Sequence, residues 1–237
     1  MIQIIHLKEL KQILSIDEIK QFKKLQKIIS EINKITNLTR LIDGDEYWIS
    51  QVYDSIWPFL KHSGKIFDGK KFIDIGSGCG FPGLAYSITH PNSEVYLVDS
   101  SRKKTEALKR IIEELNIQNK IFVINDRIEN IAHQSIYRNN FDIGTTRAVS
   151  SPSTVLEYIL PILNRSGLGL LYCGKWTEYD EIKIQNSLKT LKGSIQEINK
   201  TFLPNGKGER NIIFIKPIDK CPKSYPRTVG KPAKHPL

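Results

Sequence analysis

Apolar positions in the first part of the chain recur at helical spacing. Leu7, Leu10 and Leu14 fall on one stripe, and Ile19, Phe22, Leu25, Ile29 and Ile32 on a second, so residues 7–35 predict amphipathic helix. Ser15 and Glu18, three residues apart, supply a capping box for the second segment. The pattern breaks over 33–39, and a shorter helical region is expected over about 46–60, with Pro58 near its end. Packing against a neighbouring domain suits these faces better than a membrane surface.

After Gly69 short apolar runs alternate with amphipathic ones. Strands are expected at 71–75, 94–98, 120–124, 141–146, 167–173, 196–203 and 210–216, and helices at 82–90, 101–115, 128–136, 152–163 and 177–189. Short apolar strands separated by helices call for parallel pairing with crossover connections. Only Pro204, Asn205, Gly206, Lys207 and Gly208 separate the last two strands, which must form a hairpin. The expected fold is α/β: a seven-stranded, mostly parallel sheet with a terminal antiparallel hairpin and an N-terminal helical extension. Its parts divide as 1–68 (helical extension), 69–216 (α/β domain) and 217–237 (a basic, proline-rich arm).

The candidate chemistry lies at the strand ends. The first strand ends in Asp74 and feeds a turn holding Gly76, Gly78 and Gly80. Glycines there let a ligand approach the backbone. No Gly-Lys-Ser/Thr follows, which excludes a P-loop. Gly78, Gly80 and Gly83 do fit G-x-G-x-x-G, so the spacing alone leaves NAD open. Asp74 argues against a diphosphate and suits a ligand bearing an ammonium group; S-adenosylmethionine has that group and no phosphate. Asp99, ending the second strand, is placed to accept ribose hydroxyls; Asp99 or Ser100 can equally cap the following helix. After the third strand, Asp126, Ile128 and Glu129 border the place of an adenine, with Ile128 an apolar wall and Glu129 alternatively a first-turn acid. Thr145, Thr146, Arg147 and Ala148 follow the fourth strand, where the loop overhangs the reacting group; Arg147 meets a base or phosphate there, or a surface carboxylate. Asn33, Asn37, Thr39, Asp54 and Ser55 form either a lip over the cofactor or helix caps.

Charge adds a partner. Thirty-five basic against 25 acidic residues leave a net +10, which favours an anionic partner such as nucleic acid. Half of that surplus sits in residues 216–237, which hold six Lys or Arg and one acid, Asp219. Five prolines in the same stretch predict an extended arm without helix. The three cysteines, Cys79, Cys173 and Cys221, match no zinc spacing; free thiols, a reducing cytoplasmic setting and no metal are expected. No apolar run is long enough to span a membrane, and His6, Lys8, Glu9 and Lys11 interrupt any signal-peptide core. Without a coiled-coil signal, a monomer is expected.

Several stretches together resemble the bacterial 16S ribosomal RNA guanine-N7 methyltransferases, once called glucose-inhibited division protein B: NKITNLT at 33–39, the Asp54-Ser55 pair, FIDIGSGCGFPGL at 72–84, VDSSRKK at 98–104, the 126–129 segment and TRAV at 146–149. The match covers roughly residues 15–216, and the ending YPRTVGKPAKHPL resembles that of cyanobacterial and some other members. The resemblance implies a Rossmann-like class I methyltransferase fold, S-adenosyl-L-methionine as cofactor, and methyl transfer to a guanine in the 530 loop of 16S rRNA, free or in a small-subunit precursor. By residue it implies cofactor contacts at Gly76 and Phe81, Asp99 on the ribose, Ile128 and Glu129 near adenine, and Arg147 at the mouth of the site. With the readings above, the expected cofactor set is Asp74, Gly76, Gly78, Phe81, Asp99, Ser100, Ile128, Glu129 and Arg147; Arg147 also positions substrate, since guanine N7 needs no general base. Lys103, Lys175, Arg227, Lys231 and Lys234 are expected at RNA. Three positions depart from the family pattern: Gln51 where many members have His, Cys79 where Pro or Ala is commoner, and YCGK at 172–175 in place of Leu-Lys-Gly, which displaces a lysine often found beside the substrate pocket and leaves open whether Lys175 takes its place. The rival readings are a methyltransferase of another RNA, a protein or a small molecule, a non-catalytic RNA-binding module, and an NAD enzyme.

Overall fold

The computed structural model describes residues 10, 13–60, 67–117 and 120–237; Leu7 of the first stripe lies outside them. Helix α1 (Ile16–Thr36) starts at the Ser15–Glu18 capping box and ends at Asn37, whose left-handed backbone closes the last turn onto Asn33. Its stripe of Phe22, Leu25, Ile29 and Ile32 is fully buried, each side chain contributing about 1.5–3 kcal/mol. It lies against α5, and Lys24 donates to the Leu115 carbonyl at that helix's end. The 46–60 region is helical but not uniform: α2 (Gly44–Tyr47) widens into a π-helical turn (Trp48–Tyr53) before α3 (Asp54–Leu60).

The rest is β1 (Lys71–Ile75), α4 (Gly83–Thr89), β2 (Glu94–Val98), α5 (Arg102–Leu115), β3 (Lys120–Ile124), α6 (Ile128–Ile131), β4 (Phe141–Arg147), α7 (Pro152–Ile159), β5 (Leu163–Cys173), α8 (Glu178–Leu191), β6 (Gly193–Leu203), β7 (Gly208–Pro217) and α9 (Lys231–Lys234). One seven-stranded sheet runs in the order β3-β2-β1-β4-β5-β7-β6. The first five strands are parallel; β7 runs antiparallel to both β5 and β6. The chain reverses its direction of travel between β1 and β4, and ligands in such sheets bind outside the carboxyl ends at that switch.

Two apolar cores cover the faces. One joins Phe72, Leu84, Val95, Leu108 and Ile111 to α1 and to Val52 and Ile56, so the N-terminal helices share the sheet's core. The other holds Ile73, Ile75, Leu156, Ile159, Leu188 and Ile213.

Three expectations shift. The helix expected at 128–136 ends at Ile131. The one expected at 152–163 ends at Ile159, and β5 starts at Leu163 rather than 167. The C-terminal arm is not purely extended: Lys231–Lys234 form a helical turn, tolerated because Pro232 sits in its first turn, where the missing amide costs nothing.

Candidate functional site

The glycine loop sits at the switch. Gly76 and Gly78 have φ of +75° and +57°, which only glycine adopts cheaply. A Cβ on Gly76 would lie 2.6 Å from Val149 Cγ2, so the loop after β4 packs directly on this turn. A Cβ on Gly78 meets only the Gly76 carbonyl, at 3.8 Å, and otherwise projects into open space.

Two cavities flank the loop. The first, about 320 Å³, is walled by Asp99, Ser100, Asp126, Ile128, Glu129 and Tyr158; the second, about 540 Å³, by Gly78, Phe81, Gln51, Asp54, Arg147 and Arg210. Gly76, Lys104 and Ala148 line both and join them. Together they have the size of a cofactor cleft opening onto a substrate pocket.

In the first cavity Asp99 does two jobs. Its Oδ2 accepts the Gly78 N–H at 3.0 Å and its Oδ1 the Ser101 N–H at 2.8 Å, which holds the loop and starts α5. Each carboxylate oxygen keeps a further lone pair for a hydroxyl. Glu129, 3% exposed, accepts from Tyr158 Oη at 3.2 Å and from the Gly230 N–H at 3.0 Å.

In the second cavity the π-helical turn brings the Ser50 carbonyl, Gln51 and Asp54 onto Arg147. The guanidinium donates to the Ser50 carbonyl at 3.2 Å, to Asp54 Oδ2 at 3.4 Å and to Gln51 Oε1. The wide turn, of a kind common at functional sites, and the first residue of α3 thus present three acceptors to one cation. Gln51 Nε2 in turn donates to Thr39 Oγ1 at 3.1 Å and to Cys79 Sγ at 3.5 Å, so two of the three departures from the family pattern, Gln51 and Cys79, touch one another. Arg210 Nε lies 3.3 Å from Asp54 Oδ1. Burial pushes the Asp54 carboxyl up, and the two arginines oppose that shift. Burial also pushes the Cys79 thiol up, which keeps it protonated and a poor nucleophile.

Asp74 stands elsewhere than expected. It is fully buried and walls neither cavity; its Oδ2 accepts the Gly83 N–H at 3.1 Å and its Oδ1 the Thr145 hydroxyl at 3.2 Å. The expectation that it faces a ligand's ammonium is corrected: strand alternation puts it with Phe72 on the face covered by α4. There it takes the amide that a dinucleotide's pyrophosphate would need at the helix start. Burial raises its carboxyl to about 6.

The cations sort differently from the sequence reading. Lys103 is exposed and walls neither cavity; its neighbour Lys104 lines both, with Nζ 3.8 Å from Asp99 Oδ2. Lys175 is exposed on a smaller cavity beside Tyr172 and Trp176. Lys231 and Lys234 are exposed. The expectation that Arg227 meets RNA is corrected: its guanidinium is turned onto Glu157, a fully buried carboxylate, at 2.7 Å. Sequence reasoning missed Arg210. Because β7 is antiparallel, its beginning lies at the carboxyl edge of the parallel strands, beside Cys173. A basic residue opening the return strand of a terminal hairpin is the signal that would have found it. Of the proposed lip, Thr39 and Asp54 line the second cavity, while Asn33 caps the chain by accepting the Thr39 N–H.

The model of the family described as rRNA small subunit methyltransferase G matches residues 18–213. Among curated relatives, the ribosomal RNA small subunit methyltransferase G of Prochlorococcus marinus strain MIT 9312 is 64% identical over 198 residues, covering 84% of each chain. That of strain NATL1A is 44% identical, covering 84% of this chain and 80% of its own. Solved structures share the fold at low identity. A branched-chain polyamine synthase from Thermus thermophilus superposes with a TM-score of 0.56 at 12% identity, over 71% of this chain and 57% of that one. A B. subtilis tRNA methyltransferase gives 0.51 at 14% identity, over 66% and 64%.

Proposed function

The chain belongs to the rRNA small subunit methyltransferase G family, and we propose that its two joined cavities divide that family's work between cofactor and RNA. It is an S-adenosylmethionine-dependent methyltransferase that modifies N7 of a guanine in the 530 loop of 16S ribosomal RNA. The donor set fits the cofactor. Asp99 offers free lone pairs, Ile128 an apolar wall, and Gly78 the space that a side chain would fill. No helix-start amide is left for a pyrophosphate at Gly83, where Asp74 already sits.

S-adenosylmethionine supplies an electrophilic methyl group, which guanine N7 takes up through its in-plane lone pair without giving up a proton. The residues therefore have to position, and positioning alone is worth many powers of ten. Asp99, Ser100, Ile128 and Glu129 hold the nucleoside in the first cavity. Gly76, Gly78 and Phe81 would hold the methionine part of the cofactor, Gly76 from the wall shared by both cavities and the other two from the second. Arg147, held by Ser50, Gln51 and Asp54, orients the incoming base. Asp54 supplies negative charge near the base as it becomes cationic. Lys104 and Arg210 meet the flanking phosphates. The target base leaves its stack to enter, as bases do for other base-modifying enzymes. The protein acts as a monomer on a small-subunit particle or its RNA.

The observation that carries this reading is the shared wall of Gly76, Lys104 and Ala148, which puts an acid-lined and a base-lined cavity in contact at one switch point. Arg147→Ala tests it. Methyl transfer to small-subunit RNA should fall about 100-fold, near 2.7 kcal/mol of transition-state stabilisation. Unchanged turnover with unchanged RNA affinity removes Arg147 from the scheme.

A further inference from the structure

The C-terminal residues, beyond the stretch that the family model matches, are anchored at intervals from Cys221 to Leu237. Arg138 donates to the carbonyls of Cys221, Pro222 and Tyr225 at 3.0, 3.0 and 2.8 Å. His133 lies 2.7 Å from the Pro226 carbonyl. Arg227 grips Glu157 through its guanidinium and through its backbone N–H at 2.7 Å. Thr154 donates to the Pro232 carbonyl and Ser187 to the Leu237 carbonyl, both at 3.0 Å. Five anchors in sequence make this a built element rather than a trailing arm.

The path passes the first cavity. Ala233 stands in its wall with Glu129 and Tyr158. The Gly230 N–H is one of two donors that fix the Glu129 carboxylate; Tyr158 is the other. Gly230 has φ of +80°, the left-handed turn that aims this amide at the carboxylate.

We propose that residues 228–237 form the outer wall of the nucleoside cavity and set cofactor affinity, through Ala233 as a surface of the cavity and Gly230 as the positioning residue for Glu129. The proposal rests on the reading that the nucleoside of S-adenosylmethionine occupies that cavity. A wall fixed before binding costs less ordering at binding, so its loss weakens the cofactor and not the RNA. Arg227, just before the segment, works inward on Glu157.

Calorimetric titration with S-adenosylmethionine on three proteins tests this: the full chain, a chain ending at Thr228, which keeps the Arg227–Glu157 pair, and Ala233→Trp. The truncation and the substitution are each expected to weaken cofactor binding at least 10-fold. Ala233 is exposed, so Ala233→Trp is expected to keep the melting temperature and the affinity for small-subunit RNA, which a general loss of fold would not. If the truncated chain fails to fold, Ala233→Trp decides alone. Cofactor binding by Ala233→Trp within twofold of the full chain overturns the proposal and leaves the cofactor reading standing. Failure of the full chain itself to bind overturns both.

Discussion

Arg227→Met isolates the one fully buried charge in the tail's anchorage. Glu157 has no exposed side-chain surface, and Arg227 supplies three of its short contacts: Nε to both oxygens at 2.9 and 3.1 Å, and Nη2 to Oε2 at 2.7 Å. Among the described residues only the Arg227 backbone N–H would remain. A buried carboxylate stripped of its cation costs about 3–5 kcal/mol. For a domain of this size 1 kcal/mol moves the melting temperature by about 2–4 °C, so a fall of roughly 6–20 °C is expected. Since most of the cost is the unpaired charge, Glu157→Met combined with Arg227→Met should recover most of it. Urea and thermal unfolding of the wild type, both single variants and the double variant measure these values. A loss below about 1 kcal/mol, the range of an exposed pair, would refute the reasoning, as would a double variant no more stable than Arg227→Met.

Two further outcomes follow from the glycine loop. Gly78→Ala meets no steric wall, but its φ of +57° costs an L-residue about 1–2 kcal/mol, and the methyl enters the second cavity; calorimetry should show cofactor binding weakened about tenfold, and unchanged binding would mean that the cofactor does not pass this residue. Asp74→Asn should flatten a pH dependence. The folded carboxyl is raised to about 6 from 3.8 by burial, so the stability tied to its protonated form is complete below the unfolded value and is lost as pH rises through the folded one. The wild type should therefore lose about 2 kcal/mol relative to Asp74→Asn between about pH 4 and pH 7, and a constant difference across urea melts in that range would contradict the assignment.

How far this architecture could be read in advance depended on what each residue faces. Strands such as Lys71–Ile75 and Glu94–Val98 are short apolar runs between helices, and periodicity marks them directly. The start of β5 was hidden because Asn164, Arg165 and Ser166 are polar where the strand is exposed, and an apolar run through Leu160, Pro161 and Ile162 reads equally as helix. The helix-start role of Asp99 was legible because an acid between a strand and a helix is well placed to accept the first amides of that helix. Asp74 was legible as special but not as to its direction, which depends on the face that α4 covers. Arg210 and the tail were the least visible. One needs the antiparallel pairing of β7, and the other needs Arg138 and Glu157, far away in sequence, to turn a proline-rich basic stretch into a docked wall. Composition alone assigns such a stretch to solvent or to phosphate.

The most direct test is to incubate the purified full-length chain with isotopically labelled S-adenosylmethionine and 16S RNA lacking the modification, and to map the label by mass spectrometry of nuclease fragments. The account predicts one methyl group, on N7 of one guanine in the 530 loop. No incorporation, or label on another base or another position of the guanine ring, would contradict it.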